Sequence, residues 1–164
     1  MDLSLITPLL YVLATPLVTL MHELGHAAVP LAVSRKPVTV QVGPAFSRPL
    51  FRARLGRVTV VVRRLFFWGG RCDSRAPLTA HQQFWTAAGG PLVSLLILGL
   101  GAAALLGVQT ETAWMVAQVF MTLSFCQLLL TLWPTRYPAW VVGFAGMESD
   151  GAQLLRLWPR LRAA

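Results

Sequence analysis

Residues 22–26 read His22-Glu23-Leu24-Gly25-His26. On an α-helix, positions four apart share a face, so both imidazoles can reach one metal ion. Glu23 lies about 100° round the helix from His22, close enough to take a proton from the water that such a metal activates without being a ligand itself. Gly25 leaves space for another helix or a substrate backbone. The same pattern arises in soluble helices whose His and Glu simply face water. The setting argues against that here, because residues 3–21 carry no charge. An ionisable side chain inside a membrane span costs roughly 2.5–3.5 kcal/mol and usually marks function.

A catalytic zinc takes three protein ligands and keeps one position open. Two histidines leave one ligand to find, and Asp150, Glu148, His81, Asp73 and Cys72 are the candidates. Asp2 and Glu111 fall on the far side by the topology below. Asp150 follows the third span on the same side as His22, and Gly151 lets the backbone turn beside it. Ser149-Asp150-Gly151 is equally a helix N-cap sequence, so spacing leaves ligand and cap both open.

The elements that position these residues lie in a membrane. Of 164 residues 55% are hydrophobic and only 12% charged, too much apolar surface for a soluble domain of this length to hide. Residues 3–21, 82–110 and 112–135 are uncharged, each reaching the roughly 20 residues that cross the hydrocarbon as a helix. Pro8, Pro16 and Pro91 are tolerable inside such helices. Residues 3–21 are not read as a secretory signal: Asp2 stands in place of a basic flank, and no small-x-small cleavage site follows. Ten of the 14 Lys and Arg lie between Arg35 and Arg75, and the others are Arg136, Arg156, Arg160 and Arg162. The positive-inside rule then places that loop and the C-terminus in the cytoplasm, and the N-terminus and the 107–112 link outside. The net charge of +8 is accounted for by topology and anionic head groups, so no nucleic-acid partner is expected. Trp68, Trp85, Trp114, Trp133, Trp140 and Trp158 fall near span ends as an aromatic belt. Cys72 in the loop and Cys126 in the third span are not expected to form a disulfide.

The predicted fold is a single α-helical polytopic membrane domain over residues 1–164, with spans at 3–29, 79–107 and 112–133. A small cytoplasmic β-hairpin or sheet is inserted at 37–70. Val38, Val40 and Val42 alternate with polar residues and Arg57 to Arg63 is largely β-branched, while Gly69-Gly70 ends the insert. After Trp133-Pro134 the chain reads as irregular to Ser149, and a short helix over 152–157 precedes Pro159. Gln118 and Gln127 read as interhelical hydrogen-bonding groups.

His22-Glu23-Leu24-Gly25-His26 in a span, Ala88-Gly89-Gly90-Pro91-Leu92-Val93-Ser94 in the next, and Thr131-Leu132-Trp133-Pro134 followed by Ser149-Asp150-Gly151 together resemble the site-2 protease family of intramembrane zinc metalloproteases. The order and topology resemble that family's three-helix core. The resemblance implies that His22, His26 and Asp150 hold one zinc ion per chain, with Glu23 as general base and acid. Gly90, Pro91 and Ser94 would bind substrate or its oxyanion. It departs from the family at Ser94 and Thr131, where Asn is common, at the long gap from Pro134 to Asp150, and at Ala152, which replaces a frequent second Gly.

The function implied is zinc-dependent endoproteolysis of transmembrane or membrane-tethered proteins, with single-span substrates, and the short, Arg-rich, Lys-poor chain reads as that of a bacterial inner-membrane protein. The unwound substrate would add to the edge of the 38–42 or 57–63 strand. One alternative is an inactive relative that binds client helices. Another is a metal carrier or sensor, which would want more ligands along the spans than this chain offers.

Overall fold

A computed structural model describes residues 3–162, apart from the side chains of residues 3–5 and 68. Asp2 lies outside the described residues. Three long helices, α1 (Leu3–Val33), α2 (Ala80–Gly107) and α3 (Glu111–Leu132), are long and apolar enough to cross a membrane, and a shorter α4 (Asp150–Arg162) follows. Their outward faces are leucine: Leu13, Leu17, Leu96, Leu100 and Leu130 are all exposed, while Ala14, Val18, Ala87 and Ser94 are buried between helices. Such an arrangement places apolar side chains against lipid and small ones at the helix contacts. Trp85, Trp114, Trp133, Trp140 and Trp158 are exposed at or beyond helix ends.

The sequence determines where the helices begin. Thr79 and Gln82 form a reciprocal capping box at the start of α2, and Thr110 accepts the Ala113 N–H at the start of α3. α1 runs past Pro30 to Val33, beyond the expected end at residue 29. The missing Pro30 N–H forfeits one backbone bond, and the Ser34 N–H to Pro30 carbonyl bond (3.1 Å) closes the last turn. α1 and α2 come into backbone contact at Gly25 and Gly89, where a Cβ on either would strike the other's carbonyl oxygen.

Between α1 and α2 lies a four-stranded sheet, β1 (Val38–Val42), β2 (Pro49–Leu55), β3 (Val58–Arg63) and β4 (Gly70–Ser74), in the order β2-β3-β1-β4. β2 and β3 form an antiparallel hairpin, β3 runs parallel to β1, and β4 runs antiparallel to β1. Alternation sends Val38, Val40 and Val42 to one fully buried face, and Val38 and Val40 pack on Ala27 of α1. Two expectations are corrected here. The insert does not stop at Gly69-Gly70 but continues as β4. Neither the 38–42 nor the 57–63 strand has a free edge, since β1 lies between β3 and β4, and β3 lies between β2 and β1. Both are saturated with ladder partners, so neither can accept a further strand. The open edges belong to β2 and β4.

α4 is longer than the expected 152–157. It starts at Asp150 and continues through Pro159 to Arg162. The described cysteines, Cys72 and Cys126, are free.

Candidate metal centre

His22 and His26 stack one turn apart on the buried side of α1, each less than a tenth exposed. Opposite them, Thr86, Gly90 and Ser94 recur every four residues on α2 and so share one face of that helix. Each does a separate job. The His26 Nδ1–H donates to the Thr86 carbonyl at 2.7 Å; a carbonyl can only accept, so neutral His26 presents a bare Nε2 to the centre. His22 Nδ1 lies 2.8 Å from Ser94 Oγ. Between these two anchors Gly90 has no side chain, and a Cβ there would meet both Nε2 atoms, lying 2.7 Å from that of His22.

Asp150 completes the group from α4. The cap that the sequence left open is supplied by Ser149, whose Oγ accepts the Ala152 N–H (3.2 Å) and donates to the Trp133 carbonyl (2.7 Å). The Asp150 carboxylate is thereby free to face the imidazoles. Gly151 fits against α3, where a Cβ would strike the Leu132 carbonyl. Asp150 Oδ2 is 3.2 Å from His22 Nε2 and 3.4 Å from His26 Nε2, and the two Nε2 atoms are 3.2 Å apart. Zinc bonds of about 2.0–2.1 Å at tetrahedral angles put ligand atoms about 3.3 Å apart, so the two nitrogens and one carboxylate oxygen fit that ion in type and spacing. Among the described residues this is the group of three or more His, Cys, Asp or Glu placed to hold a metal.

Glu23 is buried beside this group but not among its ligand atoms. Its side chain abuts Gly70 of β4, where a Cβ would lie 2.7 Å from Oε1 and 2.6 Å from Cγ. Both Glu23 and β4 line a cavity of about 860 Å³ that also takes in His22, His26 and Asp150 and extends to Trp133, Tyr137 and Trp140.

The remaining candidates are placed elsewhere. His81 is exposed and its Nε2 accepts from Trp85 Nε1–H (3.1 Å). Glu148 is ion-paired with Arg156 (2.8 Å) and Arg136 (3.0 Å), whose hydrogen bonds hold its carboxyl below the usual range. Asp73 accepts from Gln41 and Arg71. Cys72 lines the cavity, its thiol pushed up to about 12 by burial first and then by the charges of Glu23 and Asp73. Ser94 is fully buried behind His22, with its hydroxyl against that ring. Gly90 keeps the space at the imidazole tips, and Pro91 is buried on α2. Thr86 and β4 escaped the sequence reading. The every-fourth-residue spacing of Thr86, Gly90 and Ser94 was the available signal for the first.

A family model described as Peptidase M50B-like matches residues 3–148. The chain belongs to this family. It is a site-2 protease family, so membership and the three apolar helices make the chain a membrane protein of the site-2 protease type. The match takes in His22, Glu23, His26 and Ser94 and ends two residues before Asp150. No curated protein matches the chain.

Proposed function

We propose that this protein is a zinc-dependent intramembrane endopeptidase acting on single-span membrane proteins. The observation that carries the reading is the group of two imidazole nitrogens and one carboxylate oxygen at tetrahedral spacings, with Glu23 beside it in the same cavity. A zinc ion held by His22, His26 and Asp150 would polarise the scissile carbonyl and lower the pKa of water there. Glu23 takes the proton from the attacking water and delivers it to the leaving amine as the C–N bond breaks. Thr86 and Ser94 hold the two imidazoles in place from behind.

A helical substrate has its carbonyls bound within the helix and must unwind before attack. The edge of β4 is the place for the unwound stretch, since among the described residues its only strand partner is β1 and its residues Gly70, Arg71 and Cys72 line the cavity beside Glu23. The ten cationic residues between Arg35 and Arg75 orient the sheet toward the cytoplasm, which gives the site water from that side.

The test is cleavage of a single-span peptide in vesicles of phosphatidylglycerol and phosphatidylethanolamine. Hydrolysis that is lost with o-phenanthroline, restored by zinc and abolished by Glu23→Gln is expected. A Glu23→Gln protein that still retains zinc and holds the peptide, beside a wild type that never cleaves it, would instead identify a client-binding module.

A further inference from the structure

The segment between α3 and α4, read from sequence as irregular, closes on itself through a short antiparallel ladder. The Ser149 N–H donates to the Thr135 carbonyl (2.9 Å), the Tyr137 N–H to the Met147 carbonyl (2.9 Å) and the Gly146 N–H to the Tyr137 carbonyl (2.8 Å). Arg136 and Glu148 form the bridge between them. Side chains alternate along such a ladder. Arg136 and Glu148 pair with each other, and Thr135 and Tyr137, on either side of Arg136, line the cavity together with Glu148. The ladder begins at Ser149, the residue before Asp150. Tyr137 is therefore held by backbone bonds to the same segment that delivers the third metal-binding group.

Its ring is held as well. It meets Phe144 edge-on, centroids 6.2 Å apart, and the Phe144 ring in turn lies 3.6 Å from where a Cβ would stand on Gly69, the residue before β4. Tyr137 thus lines the cavity that α4 and β4 also line. Burial, and after it the charges of Asp150 and Glu23, push its hydroxyl above the usual tyrosine range.

Peptide hydrolysis at this centre lacks one identified group. As water adds to the carbonyl carbon, negative charge builds on the carbonyl oxygen, and a preorganised donor there is worth about 10²–10³ in rate. Ser94 does not face that position, because its hydroxyl lies against His22 Nδ1 with no exposure. Of the five wall threonines, Thr15, Thr86 and Thr135 give their hydroxyls to the Tyr11, Gln82 and Arg136 carbonyls, the unpartnered Thr131 hydroxyl is buried, and Thr19 is buried on α1 with its methyl against Gly70. The other tyrosine, Tyr11, lines a separate cavity near Glu111, at the opposite end of the spans.

We infer that Tyr137 is a further catalytic residue, its hydroxyl donating a hydrogen bond to the substrate carbonyl oxygen during attack. The inference rests on the proteolytic reading above. No proton leaves the tyrosine. The water proton travels through Glu23 to the amine, a C–O bond forms and the C–N bond breaks.

The test uses the detergent-solubilised full chain loaded with Co²⁺, as wild type and Tyr137→Phe, titrated with a short phosphinic pseudopeptide and separately with azide. The tetrahedral phosphinate imitates the attacked carbonyl, whereas azide engages only the metal. Visible Co²⁺ absorption should show equal cobalt content and equal azide affinity in both proteins, with phosphinate binding about 10²-fold weaker in Tyr137→Phe. Equal phosphinate affinity in the two proteins would overturn the inference, as would a Tyr137→Phe protein that loses its cobalt and so reveals a purely structural role. A wild type that takes up no cobalt would overturn the metalloprotease reading itself, a result distinct from either.

Discussion

Gly90→Ala separates the metal centre from the fold more sharply than any other single change. The new Cβ would meet His26 Nε2 and lie 2.7 Å from His22 Nε2, where ordinary contact begins at 3.4 Å. Both rings must therefore retreat, His22 by about 0.7 Å and His26 by more, several times the ±0.2 Å tolerance of a metal–ligand bond. Retreat is blocked at the back, since His26 is tied to the Thr86 carbonyl and His22 to Ser94. The expected consequence is loss of one nitrogen ligand and a drop in zinc affinity of at least about 10²-fold, equivalent to about 2.7 kcal/mol. Fold stability should change little, because the helix-propensity gain of alanine over glycine, up to about 1 kcal/mol, offsets part of the roughly 1–3 kcal/mol that overpacking side chains costs. Gly89→Ala is the control. Its Cβ meets backbone, the Gly25 carbonyl, so the helices themselves must part and the folded protein should be lost. The assay is zinc per chain by mass spectrometry, chelator competition, and thermal melting in detergent without metal. A Gly90→Ala protein with wild-type zinc affinity would refute the reasoning.

Ser94→Ala should weaken zinc binding about 10–100-fold, read by chelator competition, because His22 loses the group that orients its ring. The Cys72 thiol, pushed up to about 12, should stay neutral and resist iodoacetamide at pH 8 in the folded protein. A thiol pKa raised above its unfolded value of about 8.5 contributes stability that is whole below that pH and fades as pH rises toward 12. Alkaline melting of wild type and Cys72→Ser should accordingly converge as pH climbs. A photo-crosslinker placed at position 71 on β4 should capture a bound single-span peptide, whereas one at position 52 on β2 should not; the reverse pattern would move the docking edge to the far side of the sheet.

The sequence revealed most of what is local. Uncharged runs located the spans, the spacing of His22 and His26 located the centre, and alternating valines located β1. What it concealed depended on long-range order. The strands at 38–42 and 57–63 are more β-branched than β4, so composition pointed to one or the other as the docking edge. Only the order β2-β3-β1-β4 reveals both as interior. Gly69-Gly70 read as a terminator because glycine is poor in strands, yet Gly70 is where β4 passes against Glu23. Asp150 was ambiguous between cap and ligand because Ser149 can do the first job only once α4 has docked on α3, where its hydroxyl meets the Trp133 carbonyl. Ser94 drew attention as a substrate donor from its place after Pro91, but which way a helical residue faces depends on the partner helix. Here the partner presents His22.

The central claim is that His22, His26 and Asp150 together hold zinc. Its most direct test is the metal content of the metal-replete, detergent-purified protein beside His22→Ala and Asp150→Asn. One zinc per chain in the wild type, lost from both variants, is the expected result. Full zinc in Asp150→Asn would contradict the three-ligand centre, and no zinc in the wild type would contradict the metalloprotease reading as a whole.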